Sequence, residues 1–357
     1  MAQVLLVGDE KSRTSGLKSI LAMDGHDVAS ARDIRRWRDE ERGKSPDVVV
    51  AAVAHPDMVL GVPLGGGRVF APAILFVHEE QDEVHERYVE ERLIDRLTSP
   101  FPAEDLLARV DALARVRRVV LRQDPGEREA EPAPDLPDGN GRWERIGRRL
   151  SSTLNRKMPR YAKPSGPYLE VASRVAEWSD RRDSFEPGHA DRVTGFAAMI
   201  AEELEVPDAD VAALLRAAML HDIGKVSFPV EILRQRGPLD EEQARLMRTH
   251  PERGAAILRA LDRDEEVAQA IQFHHERADG QGYYGKSGEE IPLLSRVLAV
   301  AEAYDAMTTS RVRATLPPAG ARAYLQEKRG TQFDAACVDA LLEVTRPSRP
   351  SISLSLP

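Results

Sequence analysis

A single cysteine, Cys337, occurs in the 357 residues. No internal disulfide can form, so the fold is held by its packing, and a reducing cytoplasm is the expected setting. No run approaches the roughly 18–20 apolar residues of a membrane span. The first apolar stretch, VLLV at 4–7, has no basic leader before it and reads as a buried strand, not a secretory signal. An excess of positive charge is also missing. The net charge of -9 and the pI near 5.6 argue against general binding to DNA or to an acidic membrane. What remains is a soluble composition, 42% hydrophobic and 31% charged, in a chain long enough for two domains.

Residues 1–121 alternate short apolar runs with helical patterns. VLLV (4–7), DVVVAAV (47–53) and AILFV (73–77) are continuous and rich in β-branched residues, as strands buried on both faces should be. SGLKSILAM (15–23) and AEDLLARVDALARV (103–116) have helical spacing. This rhythm predicts a doubly wound α/β domain with a parallel sheet. Residues 122–142 are dense in Pro, Gly and acids and read as a linker. A basic amphipathic stretch follows at 143–160, within a connecting region expected over 143–164. It reads as a solvated helix packing on one apolar face, or else as a signalling or partner surface. From 165 to 345 the pattern is helical throughout: VAALLRAAML (211–220), EEQARLMRTH (241–250), EEVAQAIQFHH (265–275) and LSRVLAVAEAYDAMT (294–308). Residues 346–357 read as a tail.

The N-terminal region resembles the receiver domain of response regulators, through VLLVGDE, PDVVVAAVAHPD and LTSPFPAEDLLARVDAL. A working receiver needs acids for Mg²⁺, an aspartate nucleophile, a Ser/Thr and a Lys. Overlaying the motifs, Gly8 replaces the first acid, with Asp9 and Glu10 retained. The acceptor position falls on Ala52, the Ser/Thr position on Val77 and the Lys position on Ser99. Asp57 lies in the following loop. The resemblance therefore implies a pseudo-receiver with no phosphorylation site, serving dimerisation or partner binding.

Histidine is sparse in the C-terminal region: beyond residue 100 only His189, His221, His250, His274 and His275 occur. Most follow or close an apolar helical stretch. Asp222 adjoins His221, and Asp305 lies inside an apolar helix where an unpaired charge would be costly. Each alone is compatible with ordinary packing. Together, imidazoles and carboxylates suit Fe, Mn or Zn, and two adjacent metals are a recurrent device for phosphate-ester hydrolysis. Asp222 can bridge two ions, and Lys225 is near enough to neutralise a phosphate oxygen.

The series H189, HD (221–222), IGK, H250, HH (274–275) and D305 resembles the HD-GYP phosphodiesterases, a branch of the HD hydrolases. GHADRV (188–193), HPERGAAIL (250–258), HHERADGQGYYG (274–285) and AEAYDAMTTSR (301–311) agree with it. The resemblance implies an all-α HD-type domain over 165–345 that hydrolyses cyclic di-GMP to pGpG or GMP by an ion-bound hydroxide. It implies divalent ions, iron first and manganese as the alternative. The implied metal ligands are His189, His221, Asp222, His250, His274, His275 and Asp305, with Asp222 and Lys225 as catalytic residues. Some members place a glutamate four residues before the first histidine; here that position is Phe185, with Glu186 one residue off, which favours two metals over three. Lys225, Gly282, Tyr283, Tyr284 and Arg311 are the implied substrate contacts. The name-giving triplet is Gly282-Tyr283-Tyr284, with tyrosine in place of proline. The usual RPY segment is Arg311-Val312-Arg313. These departures keep two other readings open: a phosphodiesterase preferring cyclic GMP-AMP, and a weak or inactive sensor or scaffold. GGDEF-type or other signalling proteins, and a second copy of the chain, are the implied protein partners.

Overall fold

The computed structural model describes residues 1–8, 11–32, 34, 37, 45–53, 59, 73–79, 94–123, 167–183, 188–235, 237–261, 264–309 and 315–346. The expected linker and connecting region, apart from residues 122–123, and the tail beyond residue 346 lie outside them. Asp9, Glu10, Asp57, Phe185, Glu186 and the segment 311–313 do too.

The N-terminal domain is a five-stranded parallel sheet in the order β2-β1-β3-β4-β5. Its strands are β1 (Gln3–Gly8), β2 (Asp27–Ala31), β3 (Val48–Ala52), β4 (Ala73–Glu79) and β5 (Ile94–Ser99), with α1 (Lys11–Met23) following β1 and α2 (Ala103–Gln123) following β5. Central β3 is buried along its whole length, which is why it reads as an unbroken apolar run. Successive side chains of a strand point to opposite faces. Accordingly Leu5, Val7, Val49, Ala51, Ile74 and Phe76 pack with Ile34 and Val59 on one face. Val4, Leu6, Val48, Val50, Leu75 and Leu97 pack on the other.

Two strands carry no such run. The pattern of β2, DVASA, is largely exposed at the sheet edge. In β5 an acid, Asp95, occupies an inward position. Asp95 is tolerated because Arg109 of α2 donates to both of its carboxylate oxygens, at 2.7 and 3.0 Å, and burial of a charge requires such pairing.

The C-terminal domain is helical: α3 (Pro167–Arg182), α4 (His189–Glu203), α5 (Asp208–Leu220), α6 (Val230–Leu233), α7 (Glu241–Met247), α8 (His250–Leu261), α9 (Glu265–Gln272), α10 (Leu293–Thr309), α11 (Pro318–Glu327) and α12 (Ala335–Val344). A 3₁₀ turn spans Ile223–Ser227. The pattern EEQARLMRTH predicts one helix, yet the chain ends α7 at Met247 and restarts at His250. Pro251 explains the break, because a proline inside a continuing helix would clash with the carbonyl of residue 247.

Helix α2 runs to Gln123, two residues past the expected start of the linker. It belongs to both cores: Leu106, Val110, Leu113, Val116 and Val120 join one cluster with Leu6 and Leu75 of the sheet and with Val171, Ile257 and Leu258 of the helical domain. Polar links line its edge. Arg109 also pairs with Glu170 of α3, Arg115 donates to the Ala260 carbonyl at 3.0 Å, and the Tyr168 hydroxyl donates to Asp111 at 3.3 Å. Among the described residues no helix is long and apolar enough to cross a membrane.

The two carboxylates around Arg109 differ in burial, and so in consequence. Arg109→Ala leaves Asp95 at 1% exposure without its partner, and the expected loss of stability is about 3–5 kcal/mol. Glu170→Ala removes a half-exposed partner, and the expected loss is below about 1 kcal/mol. Urea unfolding of the two variants checks the contrast; equal losses would show that Asp95 does not depend on Arg109.

Candidate metal centre

The site is assembled from helix ends. The last carbonyls of a helix have no partner within it, and here imidazoles supply one. His221 donates from Nδ1 to Ala218 O at 2.8 Å, His250 to Met247 O at 2.8 Å, and His274 to Ile271 O at 2.5 Å. These carbonyls end α5, α7 and α9. A carbonyl only accepts, so each of these Nδ1 atoms carries a proton and each Nε2 points away from the helix end. His189, the first residue of α4, is held in the same way by Asp305 Oδ2, 2.7 Å from its Nδ1.

All four Nε2 atoms are thereby turned inward. His189 Nε2 lies 3.3 Å from His221 Nε2, and His250 Nε2 lies 3.3 Å from His274 Nε2. Asp222 stands between the pairs. Its Oδ2 is 3.4 Å from His221 Nε2 and 3.9 Å from His189 Nε2, while its Oδ1 is 3.3 Å from His250 Nε2. Two triads result, His189–His221–Asp222 and His250–His274–His275, each with ligand atoms within 4.8 Å of one another. Glu302 of α10 faces the second, with its oxygens 3.7 Å from His274 Nε2 and 3.9 Å from His275 Nε2.

A glycine contact permits this juxtaposition. A Cβ on Gly224 would stand 2.0 Å from His250 O and 2.6 Å from Gly254 N. Only glycine lets the 3₁₀ turn after Asp222 lie against the start of α8. Lys225 then reaches back, with Nζ 2.7 Å from Asp222 Oδ2 and 2.8 Å from Asp183 Oδ2.

Burial penalises every charge here, and the neighbours decide which survive. For Asp222 the penalty is outweighed by Lys225 and His221, which hold its carboxyl well below the usual range. Burial would lower His221, but Asp222, helped by Glu302 and the Ala218 carbonyl, raises it to about 9. For Lys225 the penalty is outweighed by Asp183 and Asp222, which raise its ammonium above the ordinary value. The second triad lacks that help. Burial and His275 bring His274 down to about 3, burial likewise brings His275 to about 3, and burial lowers His250 despite Asp222. Neutral imidazoles with converging lone pairs repel each other unless a cation lies between them. Asp222 Oδ1 is itself buried without a hydrogen-bond partner, which is costly for a carboxylate oxygen. The donor set of imidazole nitrogens around a shared carboxylate thus fits divalent transition-metal ions.

The structure brings together His189, His221, Asp222, His250, His274 and His275. Asp305 lies elsewhere than expected for a ligand. Its Oδ1 accepts from Arg192 Nε at 2.6 Å and Thr309 Oγ1 at 2.8 Å, and its Oδ2 accepts from His189 and from a second Arg192 nitrogen at 3.1 Å. With both oxygens occupied it braces His189 from behind. Lys225 is buried, with its ammonium held by Asp222 and Asp183. The Tyr283 ring lies tilted against His275 with ring centroids 5.0 Å apart, whereas Tyr284 packs edge-on against Phe273 at 5.7 Å. Arg311 lies outside the described residues.

Glu302, Asp183 and Arg192 were not expected from the sequence. Glu302 had a signal: it is three residues before Asp305 on an apolar helix, so the two acids share a face. Arg192 likewise follows His189 by three residues on α4. Asp183 had none, since only the tertiary fold brings α3 to Lys225.

Comparison with known proteins agrees with this architecture. The HD domain family matches residues 175–337. The cyclic di-GMP phosphodiesterase response regulator RpfG of Xanthomonas campestris pv. campestris is 32% identical over 275 residues, covering 76% of this chain and 67% of that protein. A match of that length extends into the N-terminal domain. A 3'3'-cGAMP-specific phosphodiesterase (number 3) of Vibrio cholerae is 36% identical over 177 residues, 49% of this chain and 38% of that protein. Among solved structures, an HDG"Y"P protein of Bdellovibrio bacteriovorus, Bd1817, is similar at 18% identity with a TM-score of 0.42, over 56% of this chain and 70% of that one. The chain thus spans about two thirds of the Xanthomonas protein and well under half of the Vibrio one.

Residues that orient a ligating histidine typically influence metal affinity by 10–100-fold. Asp305→Asn is expected to weaken Mn(II) binding by about that factor, measured by competition against a chelating dye. Wild-type affinity in this variant would remove Asp305 from the site.

Proposed function

We propose the function of this chain from one premise: it belongs to the HD-GYP family, a branch of the HD-domain hydrolases. It is a metal-dependent phosphodiesterase, and cyclic di-GMP is its proposed substrate, opened to the linear dinucleotide pGpG and onward to GMP. The observation that carries this reading is Asp222, whose partnerless Oδ1 and lysine-bound Oδ2 face two separate triads. The donor set suits two divalent ions, iron first and manganese as the alternative. His189, His221 and Asp222 would hold one, and His250, His274 and His275 the other, with Asp222 shared and Glu302 adjacent to the second.

Ions bound there supply Lewis acidity and an activated water for attack on phosphorus. The chain's own residues prepare that chemistry. Lys225 fixes the orientation of Asp222 through Oδ2 and leaves Oδ1 directed at the second triad. Asp305, clamped by Arg192 and Thr309, fixes the tautomer and plane of His189. The carbonyls of Ala218, Met247 and Ile271 do the same for His221, His250 and His274. Tyr283, 40% exposed above His275, offers a flat aromatic face beside the reacting phosphate, suited to a nucleobase. Gly282, Tyr284 and Arg311 complete the proposed substrate side.

Cyclic GMP-AMP is the second reading, favoured by the 36% identity to the Vibrio enzyme named for that nucleotide and by tyrosine at position 284. The N-terminal domain is proposed to act as a pseudo-receiver in the cytoplasm, a surface for a second copy or for GGDEF-type signalling proteins. Ala52 stands where a phosphoryl acceptor is needed. A side chain at Gly8 would meet Thr14 Cγ2 at 2.3 Å and Ala52 O at 3.0 Å, so the missing first acid has no room.

Purified protein loaded anaerobically with Fe(II), or with Mn(II), is expected to convert cyclic di-GMP to the linear dinucleotide, and His221→Ala is expected to lose that activity. Absence of turnover of cyclic di-GMP and cyclic GMP-AMP, with wild type and His221→Ala alike, leaves the sensor or scaffold reading. Incubation of the full chain with acetyl phosphate is expected to leave no acid-labile phosphate. Stable labelling would restore the receiver's switch.

A further inference from the structure

We propose that Glu276 is a positioning residue whose buried carboxylate latches the loop 280–286 through the backbone N–H groups of Tyr284 and Lys286. The latch keeps Tyr283 standing over His275 as a wall of the nucleotide site. This inference rests on the phosphodiesterase reading above.

Glu276 lies immediately after the His274–His275 pair and is 5% exposed. Among the described residues no basic side chain pairs with its carboxylate. Its charge is instead met by two amides: Tyr284 N–H donates to Oε1 and Lys286 N–H to Oε2, each at 2.6 Å. Amides bound to a carboxylate make stronger hydrogen bonds than neutral pairs. A third pin is steric. A Cβ on Gly282 would lie 2.6 Å from Glu276 Cα and 2.8 Å from Arg277 N, so the loop passes over Glu276 at backbone distance.

The three pins alternate along the chain, at 282, 284 and 286. Tyr284 and Lys286 also close on one ring, with Tyr284 edge-on to Phe273 at 5.7 Å and Lys286 Nζ 4.9 Å from its centroid. Tyr283 is the residue between the first two pins, and its ring lies on the other side, 5.0 Å from that of His275 at an interplanar angle of 41°. The base of the loop is fixed separately, by Ala278 and Asp279 N–H donating to Gln332 O and Thr331 O at 3.2 and 2.8 Å. Glu276 therefore governs the tip and not the stem.

Tyrosine at 284 is part of the device. The family's name-giving triplet ends in proline, which has a fixed φ and no N–H. Here the residue at that position supplies the N–H that reaches Oε1. A hydrogen bond to a buried carboxylate takes over the constraint that a pyrrolidine ring would impose.

The test uses full-length, metal-loaded protein and the variants Glu276→Gln and Tyr284→Pro. Glu276→Gln removes the charge and leaves an amide that can accept from only one of the two N–H groups. Tyr284→Pro removes one donor and keeps the carboxylate. Hydrogen exchange without nucleotide is expected to rise in the segment 278–290 in both variants, with metal content by elemental analysis as in wild type. On the cyclic dinucleotide, KM is expected to rise on the order of tenfold, the scale of one lost hydrogen bond to a charged group, with kcat falling less than about threefold. Bis(p-nitrophenyl) phosphate, which lacks the nucleobases and the riboses that carry them away from the phosphate, is expected to respond less than the dinucleotide. Loss of metal with an equal loss of kcat on both substrates would make Glu276 a prop of the histidine pair and overturn the proposal. Unchanged exchange and KM would overturn it equally. If wild type turns over no dinucleotide, the phosphodiesterase reading fails instead, and the exchange data alone decide whether Glu276 latches the loop.

Discussion

The helical domain is organised around the protons on four histidine Nδ1 atoms. Three are spent on the orphan carbonyls of helix ends, and the fourth on Asp305, so four Nε2 atoms are directed into one buried space. The 3.3 Å separation of the unprotonated Nε2 atoms of His250 and His274 is unfavourable without a cation. The other features answer that constraint. Gly224 lets the two pairs approach, Asp222 supplies negative charge between them, and Lys225 keeps Asp222 ionised and oriented. In the first triad the field of Asp222 is strong enough to hold a proton on His221. In the second, burial keeps the imidazoles neutral, the state in which they ligate metal.

Much of this was legible because the chemistry is carried by rare residue types at helix boundaries. Five histidines in the C-terminal region, most of them beside an apolar run or an acid, already pointed to the triads. Strands β1, β3 and β4 were equally legible, since a strand buried on both faces is an uninterrupted apolar run. Strand β5 was not, because its inward charge, Asp95, depends on Arg109, and no local pattern announces a partner 14 residues away. Asp305 poses a related problem. A buried acid on an apolar helix signals that something binds it, but not whether that is a metal or the far nitrogen of a histidine. Glu302, one turn earlier, faces the second triad, and side-chain direction alone separates the two.

The two domains share more than a linker. Helix α2 covers one face of the sheet and packs against α3 and α8 in the same core. Helix α8 begins with His250, and α3 leads to Asp183, which grips Lys225. Arg109 sits at the junction, neutralising Asp95 in the sheet while pairing with Glu170 on α3. The sheet thereby supplies the packing that α2 requires on the side away from α3 and α8, independently of any phosphoryl chemistry.

The two tyrosines of the loop 280–286 face different partners. The sequence alone singles out Tyr284, because it replaces a proline. In the fold its ring turns away to Phe273, and Tyr283 is the one above His275. A backbone position that alternates sides can present only one of two neighbours to the site, and the pins at 282 and 284 decide which. The substitution thus acts on how the loop is fastened, through an N–H that proline lacks. An effect of that N–H on nucleotide choice passes through the placement of Tyr283.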